Sequence, residues 1–367
     1  AERQCCSMKI NKKNSISLLL VVFTTIIIGL TAYQSSNYSG QIYLYGEGHA
    51  VPSILDKEFE LWNQYYNENG MRYLFVEFPF YCSEFLNLWM QEDNDDILDE
   101  MWEEIAGTLG ATGANKEFYK KIKKACPETI FYGTDVGHKY DTLGEQYLSY
   151  LREHGQENSD NYKRAQEIIN QGKIYSEKNQ ENAFTYRENM MVENFIWSLN
   201  QLKHEDIMGI YGAAHITMNE EDDYSNLISV PNMATQLTDK FSRKIYTEDL
   251  SAKADTSNPW KTGALMINGK EYQVILWNEI WLNRKSNSYD SVEVWELKEG
   301  TEDFNNIPVG DRTIPDSSFL FPTEIKYGKI YVLDYYTDDE FKERQIFRSD
   351  NKSMDDGSII ARELLYK

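Results

Sequence analysis

The sequence predicts an α/β fold with a mainly parallel central sheet flanked by helices, followed by a smaller β-rich C-terminal domain. Three observations predict it. Short apolar runs alternate with longer amphipathic stretches up to about residue 250, which is typical of strands alternating with helices. The runs are apolar on both faces, like strands buried in a parallel sheet. After about residue 250 the segments become rich in Val, Ile, Tyr and Trp.

Four short runs are the predicted strands of the central sheet. They are QIYLYG, RYLFVEF, TIFYGTD and IMGIYGA, at residues 41–46, 72–78, 129–135 and 207–213. The stretches between them have helical apolar spacing and cover residues 55–68, 83–92, 96–109, 116–125, 143–153, 160–180 and 182–203. Strands linked by helices in this way run parallel, so their carboxyl ends meet at one edge of the sheet.

The C-terminal third has a different pattern. GALMINGKEYQVILW, at residues 263–277, carries Asn-Gly-Lys between two β-rich runs, which is a hairpin signal. The polar stretch SAKADTSNP marks the boundary, which gives an α/β catalytic-like domain at residues 41–250 and a β-rich domain at residues 251–367. This second domain contains no histidine. We expect it to cover the site, to dimerise or to bind a wall polymer rather than to perform chemistry.

The N-terminus has the pattern of a targeting segment, which we assign to residues 1–40. The basic run MKINKK at residues 8–13 precedes ISLLLVVFTTIIIGLTAY, an uncharged apolar stretch at residues 16–33. That length suits either a signal peptide or a single membrane anchor. Because basic residues stay on the cytoplasmic side, we expect the rest of the chain outside the cytoplasm, either secreted or anchored to the membrane.

The charge of the chain limits its partners. It has 37 basic and 59 acidic residues, a formal net charge of −22. Nucleic acid and anionic lipid both require a cationic surface, so neither is an expected partner of the folded part. A small-molecule or peptide substrate is expected instead. The sequence predicts no oligomeric state.

Cys82 and Cys126 are the two cysteines in the exported part. In an oxidising compartment they form either one disulfide or two unpaired core thiols. Zinc ligation by cysteine is not expected, because no C-x-x-C pair occurs.

Each predicted strand ends in side chains that can bind a metal or move a proton. In chain order these side chains are Glu47, His49, Glu77, Asp135, His138 and His215. In open α/β sheets the carboxyl ends of the strands form the crevice where ligands bind. The sequence therefore predicts a functional site at this edge.

Ordinary structural roles compete with this interpretation at single positions. An acid after a strand, such as Asp135, often caps a helix or forms a turn. Glu77 differs because it interrupts LFVEFPF, where an unpartnered buried carboxylate is strongly disfavoured. Arg187, in YRENMMVENF, either forms a solvated ion pair or points into the crevice to bind a carboxylate or an oxyanion. His154 and His204 lie on polar helical stretches and are expected at the surface.

Several common sites are not encoded. The sequence has no G-x-S-x-G nucleophile elbow and no H-E-x-x-H zinc motif. It also has no G-x-G-x-x-G after the first strand, which argues against a dinucleotide site.

A G-x-x-H motif after the first strand, a Glu on the second strand, an R-[DE]-x-x-M helix and a second G-x-x-H motif follow one another along the chain. In this order they resemble the motifs of the superfamily of the Tiki/TraB, erythromycin-esterase and ChaN-like proteins. The resemblance covers residues 41–218 and depends on Gly46, His49, Glu77, Arg187, Glu188, Met191, Gly212 and His215. The GE-x-H form of the first motif is closer to the erythromycin esterases, whereas GIYGAAHI is closer to the Tiki and TraB branch.

The resemblance implies a different activity for each branch. A Tiki-like protein would be a divalent-metal-dependent protease with the histidines of both G-x-x-H motifs at the metal. An erythromycin-esterase-like protein would use His49 as a general base without a metal, assisted by Glu47, Glu77 and His215. A ChaN-like protein would bind haem or iron and would not be an enzyme.

The sequence leads first to a metal-dependent hydrolase, a peptidase or an esterase, that acts outside the cytoplasm. The expected metal is Zn, Mn, Co or Fe, which would lower the pKa of a bound water to about 7. A remaining carboxylate would act as general base, and Arg187 would stabilise the oxyanion. The candidate metal ligands are His49, Glu77, Asp135, His138 and His215.

Overall fold

The computed structural model of the protein describes residues 38–217, 230–241, 245–251, 260–283, 285–314, 325–353 and 359–365. Nearly all of the expected targeting segment at residues 1–40 lies outside these ranges. Within them, no helix combines the length and the apolar character that a membrane crossing requires.

A five-stranded parallel sheet forms the first part of the described chain. Its strands are β1 (Ile42–Glu47), β2 (Tyr73–Pro79), β3 (Ile130–Asp135), β4 (Ile207–Gly212) and β5 (Ile245–Asp249). They lie in the order β3-β2-β4-β1-β5, and each adjacent pair is parallel. The four predicted strands are confirmed, and β5 adds an edge strand that the sequence pattern did not predict.

Helices connect these strands and cover both faces of the sheet. They are α1 (Pro52–Glu68), α2 (Phe80–Trp89), α3 (Asp96–Glu104), α4 (Gly113–Ala125), α5 (Glu145–Glu153), α6 (Asp160–Ser176), α7 (Gln180–Leu199), α8 (Ala213–Ile216) and α9 (Met233–Phe241). A single π-helical turn, Tyr140–Gly144, precedes α5. One apolar core contains the fully buried indoles of Trp62, Trp89 and Trp102, and another contains Phe195 and Tyr211.

A seven-stranded antiparallel sheet follows, which confirms the predicted β-rich C-terminal part. Its strands are β6 (Lys261–Ile267), β7 (Lys270–Trp281), β8 (Ser291–Leu297), β9 (Val309–Thr313), β10 (Ile330–Thr337), β11 (Glu340–Ser353) and β12 (Ile359–Leu364). Their order is β6-β7-β8-β10-β11-β12-β9. Asn268 and Gly269 join β6 to β7 with φ angles of 50° and 80°, the left-handed values that a two-residue type I′ hairpin needs.

Both described cysteines are free thiols. Cys82 and Cys126 are buried and unpaired, so the alternative of two core thiols describes this structure. Burial raises the pKa of the Cys126 thiol to about 11.

Candidate active site

The carboxyl end of β1 carries a Glu–His pair. The Nδ1–H of His49 donates to Oε1 of Glu47 over 2.7 Å. Burial lowers the pKa of His49, but the charge and hydrogen bond of Glu47 outweigh burial and raise this pKa to about 9. The other ring nitrogen, Nε2, faces Gly212, where an added Cβ atom would lie 3.0 Å away. Nε2 has no hydrogen-bond partner among the described residues and is available to exchange a proton.

Arg187, on α7, lies at the centre of a buried ionic network. Its Nε and Nη2 atoms donate to Oδ1 and Oδ2 of Asp135 over 2.8 and 2.7 Å. Nη2 also donates to Oε1 of Glu77 over 2.5 Å. Paired, charge-assisted contacts of this kind are among the strongest polar contacts in proteins. Burial raises the pKa of Asp135, but Arg187 and His138 outweigh it and hold that pKa well below its ordinary value.

Glu77 lies where β2 separates from β4. The last pair of residues between these strands is Val76 and Ile210, and the pairing of β2 with β3 is irregular after Val76. An irregularity of this kind redirects a side chain. The Oε2 atom of Glu77 accepts from the backbone N–H of Gly212 over 2.6 Å. Burial raises the pKa of Glu77, but His215 and Arg187 outweigh it and hold that pKa well below its ordinary value.

His215 contacts the guanidinium of Arg187 and, unlike Arg187, does not line the cavity described below. Its Nδ1–H donates to Oε1 of Glu188, and the other oxygen of Glu188 accepts from the backbone N–H of Met233 over 2.7 Å. Its Nε2 lies 3.2 Å from Nη1 of Arg187 and 3.5 Å from Oε1 of Glu77. Burial lowers the pKa of His215, but Glu77 and Glu188 outweigh it and raise this pKa to about 10.

A cavity of about 570 Å³ opens beside this network. The volume is in the range of small-molecule sites. Glu47, His49 and Arg187 line it, whereas His215 does not. Much of the remaining wall is apolar, with side chains of Leu55, Val76, Phe78, Ile105, Phe118 and Ile210. The Glu47–His49 pair therefore faces a space of ligand size whose wall combines apolar and charged side chains.

The second sheet supports one wall of this cavity. Residues 107–110 line it. The N–H of Gly107 donates to the carbonyl oxygen of Trp281 over 2.9 Å, and the N–H of Trp281 donates to the carbonyl oxygen of Ala111 over 3.0 Å. Strand β7 thus holds this loop through its backbone. Dimerisation and binding of a wall polymer stay predictions for this domain.

The structure brings the seven candidate residues to one edge of the parallel sheet. His138 is the most peripheral of them, with its Nε2 atom 3.2 Å from Oδ2 of Asp135 and its side chain 39% exposed. His154 and His204 are exposed, as predicted.

Sequence reasoning missed two buried acids of the site. Glu188 belongs to the R-[DE]-x-x-M motif, but the sequence assigns it no role, whereas in the structure it binds His215. Glu58, on α1, lines the cavity and is fully buried. A sequence signal for Glu58 exists, because it occupies one position of the apolar stripe that contains Ile54, Leu55, Trp62 and Tyr66.

The donor set does not fit a divalent metal ion. The Nη2 atom of Arg187 binds both Glu77 and Asp135, so a cation between these carboxylates would have to displace the guanidinium. The second oxygen of Glu77 is bound to Gly212. In the described part of the chain, no group of three or more His, Cys, Asp and Glu side chains could hold a metal. The expected Zn, Mn, Co or Fe ion stays a prediction and has no role in the function proposed below.

No protein-family profile matches the sequence. No curated protein matches it either. Three solved structures have low overall similarity to the chain. They are a Bacillus cereus protein (TM-score 0.43, 11% identity), a succinoglycan biosynthesis protein (0.42, 14%) and an erythromycin esterase mutant in its open conformation (0.41, 9%). The aligned regions cover 57%, 59% and 57% of this chain and 65%, 66% and 69% of those chains, respectively. Similarities of this size carry no functional assignment.

Proposed function

We propose that the protein is a metal-independent hydrolase in which His49 is the general base. The observation that carries this proposal is the Glu47–His49 pair, because Nε2 of His49 remains available in the wall of a cavity of about 570 Å³. A carboxylate bound to Nδ1 fixes the tautomer of an imidazole and makes Nε2 a stronger base. The substrate is a small molecule or peptide with an ester or amide bond.

In this mechanism His49 activates water directly. Nε2 takes a proton from a water molecule as its oxygen attacks the carbonyl carbon. Arg187 lines the cavity and places a positive charge near the carbonyl oxygen that becomes negative. Its contacts with Asp135 and Glu77 fix its position before the substrate binds. The tetrahedral intermediate then collapses and the leaving group departs.

A covalent cysteine mechanism fits this cavity less well. Cys82 lines the cavity, but burial raises its pKa far above the ordinary value and keeps it a thiol. The thiolate is the nucleophilic form of cysteine. Attack by water that His49 activates needs no such group.

The proposal is tested by measuring hydrolysis of short-chain and medium-chain nitrophenyl esters by the full chain. We expect activity to survive complete removal of metal by a chelator. His49→Ala should lower kcat/KM by about 100-fold or more, in line with the usual contribution of a general base. His154→Ala, at an exposed histidine, is the matched control and should leave kcat/KM unchanged.

Two results would contradict the proposal. Loss of activity with the chelator and its return with Zn, Mn, Co or Fe would favour the metal-dependent enzyme. A Soret band on addition of haem, with no hydrolysis of any ester, would favour the haem-binding alternative.

A further inference from the structure

Glu58 has no structural partner in the cavity wall. Its side chain is 0% exposed, and neither Oε1 nor Oε2 has a hydrogen-bond partner within the described ranges. It lies on the buried face of α1 and lines the same cavity as Glu47 and His49. A buried carboxyl group without a partner destabilises the fold. Its position is therefore better explained by a ligand than by the core.

The surroundings of Glu58 favour its uncharged form. Burial, and then the negative charge of Glu47, raise its pKa well above the ordinary value. Tyr119, on α4, is the titratable group in the cavity wall whose pKa is raised by burial, by Glu47 and by Glu58 itself. Further titratable side chains line the same cavity, namely His49, Glu77, Cys82, Asp135, His138, Lys139, Tyr175 and Arg187. Glu58 therefore differs from Glu77 and Asp135, which Arg187 keeps ionised. One cavity thus contains an imidazole with a bound carboxylate and, separately, a carboxyl group whose surroundings favour its uncharged form.

We propose that Glu58 is the general acid of this cavity and protonates the leaving oxygen of an alkyl ester. The inference rests on the hydrolase proposed above. A carboxyl group that an apolar pocket keeps uncharged is a recurrent general acid in hydrolytic sites. The apolar wall suits an uncharged ester with aliphatic or aromatic groups. The substrate class is therefore an ester of an ordinary alcohol, whose alkoxide is a poor leaving group.

Every proton that is released in this reaction is taken up again. Water loses one proton to Nε2 of His49, and its oxygen forms a bond to the carbonyl carbon. When the tetrahedral intermediate collapses, the bond from that carbon to the alcohol oxygen breaks. The Glu58 O–H proton moves to this oxygen, so the products are a carboxylic acid and an alcohol. Glu58 is then a carboxylate and His49 an imidazolium, and a proton passed through water from His49 to Glu58 restores both.

The choice of leaving group separates this role from a structural one. Nitrophenolate leaves without a proton, whereas an alkoxide needs one, so a general acid matters only for the alkyl ester. Glu58→Gln keeps the size and hydrogen-bonding ability of the side chain and removes its acidic proton. Glu60→Gln is the matched control, because Glu60 lies on the same helix with a side chain that is 68% exposed.

The experiment compares kcat/KM for a nitrophenyl ester and an ethyl ester of the same acyl group. We expect Glu58→Gln to lower the value for the ethyl ester by about 100-fold and to change that for the nitrophenyl ester by less than about threefold. Glu60→Gln should change neither, and His49→Ala should lower both. Equal losses on the two esters, or no loss on either, in Glu58→Gln would overturn the general-acid role and leave the base intact. Full activity of His49→Ala would overturn the hydrolase proposal itself.

Discussion

The Nδ1 atom of His49 lies 2.7 Å from Oε1 of Glu47, an acid only two residues earlier in the chain. The second imidazole of the site, His215, has its own acid, Glu188. The two pairs differ in access. The side chain of His49 is 31% exposed and lines the cavity, whereas that of His215 is 12% exposed and does not. Of the two imidazoles, only His49 is therefore placed to contact a substrate.

The first prediction concerns the dependence of activity on pH. Because Glu47 raises the pKa of His49 to about 9, the imidazole is protonated at pH 7 and cannot accept a proton there. Below this pKa, the neutral fraction of the imidazole rises about tenfold for each unit by which the pH increases. We expect kcat/KM to rise with pH and to level near pH 9. A profile that levels near pH 6 would show that Glu47 does not raise the pKa of His49.

The second prediction concerns Glu47→Gln. The change removes the charge that holds up the pKa of His49, so burial then lowers that pKa. We expect the rising limb of the pH profile to move to lower pH and kcat to fall by about 10² to 10⁴, as when an imidazole loses its carboxylate partner. Glu103→Gln, at an exposed acid, is the control. An unchanged midpoint would contradict the assignment.

The sequence was sufficient for most of the central sheet, for a physical reason. A strand buried on both faces is a continuous apolar run, and β4, with all six residues buried, is the clearest case. Strand β5 was missed because it pairs only with β1 at the edge of the sheet. Its sequence, IYTED, is short and half polar, and none of its residues is fully buried.

The sequence predicts which residues gather at the candidate site, but it does not predict the contacts that they make with one another. Parallel strands bring their carboxyl ends to one edge, so the grouping of His49 and Glu77 follows from the pattern. The contacts of Arg187 do not, because they depend on how α7 packs over β3. That packing directs the guanidinium between Glu77 and Asp135, the two acids that the sequence interpretation had given to a metal.

The third prediction concerns Arg187→Met. This change leaves Glu77 and Asp135 buried without their shared cation, and loss of one partner of a buried ion pair costs about 3–5 kcal/mol. We expect the free energy of unfolding in urea to fall by that amount. Lys121→Met is the control, because its pair with Asp56 is exposed and worth less than about 1 kcal/mol. Similar losses in the two variants would refute a special role for the network.

The fourth prediction concerns stability at low pH. The folded-state pKa values of Asp135 and Glu77 lie well below their ordinary values of 3.8 and 4.5. Their ionised forms therefore stabilise the fold above those ordinary values, and this contribution is lost as the pH falls through the lower, folded-state values. We expect the free energy of unfolding of the natural chain to decrease from about pH 5 downwards. In Arg187→Met the decrease should be shallower, and a parallel decrease would contradict the assignment.

The fifth prediction concerns the space next to Nε2 of His49. A Cβ atom at Gly212 would lie 3.0 Å from this nitrogen, which is closer than nearly all real Cβ contacts. It would also lie 3.4 Å from Oε2 of Glu77. The ring of His49 is partly exposed and can move, so Gly212→Ala should fold while displacing the general base. Misplacement of a catalytic group by about 1 Å costs about 100-fold in rate, and we expect kcat to fall by at least tenfold. Gly48→Ala is the matched control inside the same motif, because its Cβ would have no neighbour closer than 3.6 Å. If both variants keep full activity while their thermal unfolding is unchanged, the position of Nε2 against Gly212 has no part in catalysis.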